Sequence, residues 1–279
     1  MRRPVGSLAP ETIPRAGVGV FEAPGSSATK RGAQVANRAF PLKTEWAVSR
    51  RVSGVYRMAI EVDTKDCTAL SDAELAEMAD LCADSTNAFE VGMLSKQAEA
   101  WVLCTVASEG GKIRGFSFCT LERIGGTPSV LVGAAHICRN TKRDTVLRAI
   151  VTDQLRRSVL AFPDEDVLVG AQMNDAGAFE AYKSLTDIVP RPDHKASGEE
   201  RAWGRRLAKR FGIGASKYED RAFTVRGDGS QAVVLDHESS KPEKVDPAVI
   251  AQFADLDIDA GDTLIAFGWA MTEDLEKLL

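Results

Sequence analysis

Histidine is scarce, three residues in 279, and the five cysteines (Cys67, Cys82, Cys104, Cys119 and Cys138) are scattered without a CxxC pair. Structural zinc needs clustered thiolates and imidazoles, and a disulfide framework needs an even, closely spaced set, so neither is expected. Thiols lodged in apolar runs behave as small hydrophobes, and the pattern points to a reducing, cytoplasmic setting. Long apolar runs are missing too. The longest stretch without a charged side chain, Ile124 to Cys138, is fifteen residues broken by Gly and Pro, too short to span a membrane. No apolar core follows the opening MRRP, so no secretory signal is expected. There is no internal repeat and no DNA- or RNA-binding motif.

What is present is ordinary for a globular protein: 44% hydrophobic residues, 27% charged, net charge −5, and enough length for one large core. The charge is polarised along the chain. Residues 1–58 carry ten Lys/Arg against three Asp/Glu, whereas residues 243–279 carry two against nine. Such ends are solvated termini or interaction tails, or they serve self-association. Residues 1–40 are rich in Pro, Gly, Ser and Arg and lack apolar periodicity, a composition that does not fold alone. The expected organisation is a basic arm over 1–55 that binds a partner chain, a main domain over 56–240 with a basic helical insertion at 191–220, and an acidic appendage over 241–279.

The pattern predicts a strand in YRMAIEVD (56–63), then a helix opened by a Ser71/Glu74 capping box with Leu75, Met78, Ala79 and Cys82 on one face. A second short helix falls in AFEVGMLSKQ. Three strands follow in meander order, AWVLCTVAS, IRGFSFCTLERI and PSVLVGAAHIC, separated by EGGK and GGTP turns. Period then switches to helical over 145–162, ended by Pro163, and EDVLVGAQM (165–173) reads as a strand buried on both faces. Strand, helix and strand form a right-handed β-α-β unit. DAGAFEAYKSL reads as a helix, 198–211 as a basic amphipathic helix, RAFTVRGDGSQAVVLD as a hairpin around GDG, and TLIAFGWAM as a last strand.

Two stretches bear on chemistry. At the junction of strand and helix, RNTKRD (Arg139–Asp144) stands where free N–H groups and a helix dipole attract anions, yet it has no glycine to let a phosphate reach the backbone. NDAGAFEAYKSL (Asn174–Leu185) follows the next strand. In this order the chain resembles the GNAT superfamily, the acetyl-CoA-dependent N-acyltransferases, over roughly residues 56–237. NDAGAFEAYKSL resembles that family's Asn…Ala…Tyr helix. RNTKRD falls at its pyrophosphate loop, Gln/Arg-x-x-Gly-x-Gly/Ala, with Arg139 matching and with Lys142 and Asp144 replacing the two small residues.

The resemblance implies an α/β, GNAT-like mixed sheet, an antiparallel meander plus one parallel crossover, with helices on both faces. It implies acetyl-CoA as cofactor and direct transfer of an acyl group to an amine. Tyr182 would be the acid for the departing thiolate, or else a core aromatic. Asn174 would bond the pantetheine arm, or else cap a helix. The backbone of Ile137 and Cys138 would pair with the arm where the two parallel strands diverge. Arg139, Lys142, Arg143, Asp144 and Thr145 would surround the pyrophosphate, the cations holding it by charge-assisted bonds.

Two base candidates come from the residues themselves. His136 lies near the end of a strand, where a histidine can serve as a base, and otherwise is a satisfied strand histidine. Glu122 ends an apolar run and could reach the cleft, and otherwise is an exposed strand-end carboxylate. Around the basic helix, Arg201, Arg205, Arg206, Lys209 and Arg210 are a solvated face or a contact for acidic protein, nucleic acid or cofactor phosphate. Two functions remain open: an N-acyltransferase of small-molecule or protein amines, or a catalytically silent GNAT-fold structural or assembly protein.

Overall fold

The computed structural model describes residues 59–83, 85 and 87–279. The arm over 1–55, with its expected partner, and the start of the first predicted strand lie outside the described residues.

Chain order is β1 (Glu61–Asp66), α1 (Asp72–Cys82), α2 (Val91–Ala100), β2 (Leu103–Glu109), β3 (Lys112–Ile124), β4 (Thr127–Ile137), α3 (Arg143–Ala161) and β5 (Val167–Met173). After these come a 3-10 helix (Ala176–Tyr182), β6 (Thr186–Val189), α4 (Gly198–Arg210), β7 (Tyr218–Glu219), β8 (Thr224–Val225), β9 (Leu235–Asp236) and β10 (Thr263–Ala270). Among the described residues, the strands form one sheet of order β1-β2-β3-β4-β5-β10-β8-β7, with β6 on β10 and β9 on β4. β1 through β4 are antiparallel, and β4 and β5 run parallel across α3. This is the mixed α/β sheet expected from the sequence, an antiparallel meander with one parallel crossover.

Alternation along the strands explains why helices cover both faces. Leu131, Leu168, Phe116 and Phe118 join Leu75, Met78, Leu94, Trp203 and Leu207 from α1, α2 and α4 in one core. Val130, Val132, Val167 and Val169 join Val146, Leu147, Ile150 and Leu155 of α3 in the other. The Ser71/Glu74 capping box forms, and a second one, Ser197/Glu200, opens α4.

Three expectations need correction. The GDG segment does not turn a hairpin: β8 pairs with β10 and β7, while β9 pairs with β4. Its backbone docks on the turn before β10 instead, with Gly227 N donating to Asp262 Oδ1 (2.8 Å) and Gly229 N to the Ala260 carbonyl (2.9 Å). A Cβ at position 227 would stand 1.9 Å from the Ala260 oxygen, so only glycine allows that approach. The C-terminal segment is no appendage, because β10 lies between β5 and β8 inside the sheet. DAGAFEAYKSL winds as a 3-10 helix over Ala176–Tyr182, its first turn held by Asp175 accepting from Gly177 N.

One irregularity positions the site. In β4, Gly133 and Ala134 together face the single residue Phe118 of β3, a bulge marked by a register shift between Ser117 and Cys119. Trp101 packs on it so tightly that a Cβ at Gly133 would lie 2.2 Å from the indole. Before the bulge β4 pairs with β5 (Ser129 to Val132), and after it β4 leaves β5 and pairs with β9 (Ala135↔Leu235, His136↔Asp236).

Candidate functional site

The carboxyl ends of parallel strands that part company form a crevice where α/β proteins place ligands. Here β4 and β5 part after Val132. The crevice holds the chain's own residues 234–240. Ala135 N donates to the Val234 carbonyl (3.0 Å), and β9 continues the ladder in parallel with β4. Val234, Leu235, Asp236, His237 and Ser239 are all at most 4% exposed.

RNTKRD is shaped by Asn140, which occupies backbone N–H groups of the turn. Its Oδ1 accepts from Lys142 N (2.8 Å), its carbonyl accepts from Arg143 N, and Thr145 N and Val146 N then start α3 on the Lys142 carbonyl. No residue of this turn adopts positive φ. Three of its charged side chains, Arg139, Arg143 and Asp144, are bonded to residues 236–240. Arg139 donates to Glu238 Oε2 (2.7 Å), and Arg143 donates to the carbonyls of Glu238 and Ser239 (both 2.6 Å). Asp144 accepts from Ser240 N (2.8 Å), the Ser240 hydroxyl and His237 Nε2 (3.1 Å). Burial pushes the Asp144 pKa up, but the Ser240 bonds and His237 outweigh it and leave the carboxyl below its ordinary value. Lys142 pairs with Glu109, which Arg114 also approaches (3.3 Å).

A buried polar chain fixes β9 from the side. His136 Nδ1 lies 2.6 Å from Asp236 Oδ2. Asn87 donates to Asp236 Oδ1 (3.2 Å), and Asn174 donates to Asn87 (3.1 Å). Burial opposes the Asp236 charge, and the bond to His136, with Asn87 and Arg139 behind it, more than offsets that and lowers its pKa. So His136 and Asn174 do come together at the crevice, joined through Asp236 and Asn87, two residues the sequence reading missed. The signal was there: the polar run DHES, 236–239, directly after an apolar VVL belongs to no hairpin.

The remaining candidates are elsewhere or spent. Tyr182 is 1% exposed and its hydroxyl donates to the Ala266 carbonyl (3.0 Å). Burial raises the phenol above its ordinary pKa. Its ring packs on Phe179 and it presents no proton to the crevice. Glu122 pairs with Arg210 (2.6 Å) and sits opposite Ser129, seven residues along β4 from His136. At strand rise that is about 23 Å from His136, too far to act beside it as a base. Cys138 N is taken by the Arg114 carbonyl (2.8 Å), and the β4 edge leading to Ile137 is taken by β9. Within α4, Arg206 lies over Trp203, Arg205 pairs with Asp220, and Trp203, Leu207 and Ala208 are buried.

Acetyl-CoA is the cofactor the resemblance implies, and the groups that would meet it are already bonded within the chain. β9 lies on the strand edge its arm would use, and of the turn its phosphates would use, Arg139, Arg143 and Asp144 are bonded to residues 236–240 while Lys142 is bonded to Glu109. Among the described residues no three His, Cys, Asp or Glu side chains are grouped to hold a metal ion, and no helix is long and apolar enough to cross a membrane.

No family model matches the chain, and no curated protein matches it. Solved structures do. The chain is similar to the ribosomal-protein-S18-alanine N-acetyltransferase from Escherichia coli, at 10% identity and TM-score 0.35, over 50% of this chain and 86% of that one. An aminoglycoside acetyltransferase from an uncultured soil metagenomic sample, in complex with trehalose, gives 15% identity and TM-score 0.34 over 50% of this chain and 91% of that one. A GNAT family acetyltransferase from Brucella melitensis, in complex with acetyl-CoA, gives 15% identity and TM-score 0.29 over 39% of this chain and 75% of that one. At such TM-scores these likenesses carry no weight for cofactor, substrate or mechanism.

Proposed function

We propose that this chain is a GNAT-superfamily fold used as a structural or assembly component, and that it does not transfer acetyl groups. One observation carries the reading: the crevice between β4 and β5 contains the chain's own strand, bonded where a thioester's arm and phosphates would have to bind. The phenol that would serve as the acid is also committed, to a main-chain carbonyl. Position favours the enzyme reading, since RNTKRD spans the junction of β4 and the first residues of α3; bonding opposes it. A fold fixes neither activity nor its absence, and the site decides. In this reading the basic arm over 1–55 is the partner-binding element, and the reduced cysteines suit a cytoplasmic setting. The test is a transfer assay with radiolabelled acetyl-CoA and a panel of amines and peptides. Label above background, proportional to protein and lost on heat denaturation, would end this reading.

A further inference from the structure

We propose that residues 233–240 are a permanent seam of the core that has replaced a ligand, and not a lid over a working site. The proposal rests on the non-catalytic reading and goes further, since an idle enzyme could still keep an openable cleft.

Lids and switch segments come from the weakly held end of a structure, with few buried contacts and solvent-exposed backbone bonds. This segment has the opposite character. Val234 and Leu235 are 0% and 1% exposed and belong to the two cores on opposite faces of the sheet. Its backbone is bonded to β4 through Val234 and the β9 ladder, and to α3 through the carbonyls of Glu238 and Ser239 on Arg143. Its side chains are bonded from separate elements: Asp236 by His136 of β4 and by Asn87 before α2, and His237 and Ser240 by Asp144 of α3.

Opening would strand Asp236, His136 and Asp144 without partners at once. It would also expose Val234 and Leu235, one from each core, to water. The cost of opening the seam therefore approaches that of unfolding the sheet. His136 and Asn174, read from sequence as base and cofactor contact, become the fastening of this strand.

Hydrogen exchange on the full wild-type chain tests this. The amides of Leu235, Asp236 and His237 should be protected to within about tenfold of the slowest β4 and β5 amides, and coenzyme A should leave them unchanged. Exchange many orders faster than β4, or slowing of these amides by coenzyme A, would overturn the seam. A variant adds a second reading: Asp236→Asn should lower the melting temperature in a single transition. A gain of coenzyme A binding by Asp236→Asn, or tryptic cutting confined to 226–244 with the rest intact, would identify a lid. Should that variant fail to fold, the wild-type exchange decides alone. Acetyl transfer by a wild type whose seam stays protected would end the assembly reading and leave the seam standing.

Discussion

His136 Nδ1 lies 2.6 Å from Asp236 Oδ2, across one hundred residues of sequence, with both side chains at most 4% exposed. A histidine–carboxylate pair of this kind in a crevice commonly signals a base and its orienting group. Here the carboxylate belongs to the strand that fills the crevice, so the pair closes the fold.

Breaking that pair from one side should therefore be a stability event. Asp236→Ala leaves His136, Asn87 and part of Arg139 facing a hole, and a loss of about 3–5 kcal/mol is expected, typical for removing one partner of a buried pair. Denaturant unfolding measures it. A change under 1 kcal/mol, roughly the worth of an exposed pair, would contradict the role assigned here.

Much of this fold was legible. The meander, the α3 crossover and the Ser71/Glu74 capping box follow from periodicity and from Ser-x-x-Glu spacing, which are local signals. The crevice filling was not legible, because β9 is two residues long and pairs with β4 a hundred positions away. GDG in isolation is good hairpin chemistry; what overrides it is Asp262, whose carboxylate takes Gly227 N and Arg226. Tyr182 was placed correctly in sequence after β5, but which way a phenol points is set by tertiary packing, and that has no periodic trace. His136 and Asn174 were found at the crevice for chemistry they do not perform in the proposed reading.

Tyr182→Phe separates packing from catalysis. The ring stays, and only the bond to the Ala266 carbonyl is lost, so a decrease of about 1–3 kcal/mol is expected for a buried acceptor left unpaired. Thermal and denaturant melts check this. An unchanged stability would mean the hydroxyl was free for other work.

Acid should loosen the seam before it reaches the rest of the core. Burial depresses the His237 pKa below its ordinary 6.5, against the pull of Asp144 and Glu180 and aided by Arg143. As pH falls, the unfolded chain takes up this proton first, so the stability held by neutral His237 is complete above about pH 6.5 and drains as pH drops toward the folded-state value. Asp144 and Asp236, both lowered from 3.8, give way only in stronger acid. Unfolding free energy should thus slope downward as pH falls below about 6.5, and His237→Gln should flatten that slope. An identical slope in the variant would assign the effect to another group.

Gly204→Ala offers a test of the α4 docking. In an exposed helix interior this change stabilises by about 1 kcal/mol. At Gly204 a Cβ would stand 2.1 Å from the Tyr218 hydroxyl and 2.9 Å from Phe223, so a net loss of about 1–3 kcal/mol is expected, the usual range for overpacking. A gain would place α4 farther from residues 218–223 than described.

Isothermal titration of the full-length chain with acetyl-CoA tests the central claim most directly. With β9 bonded along β4, and Arg139, Arg143 and Asp144 bonded to residues 236–240, the account predicts no saturable heat at low or high salt. A saturable one-to-one isotherm in the micromolar range, weakened by salt and abolished by Arg139→Ala with Lys142→Ala, would contradict it, because the phosphates would then be held by side chains assigned here to Glu238 and Glu109.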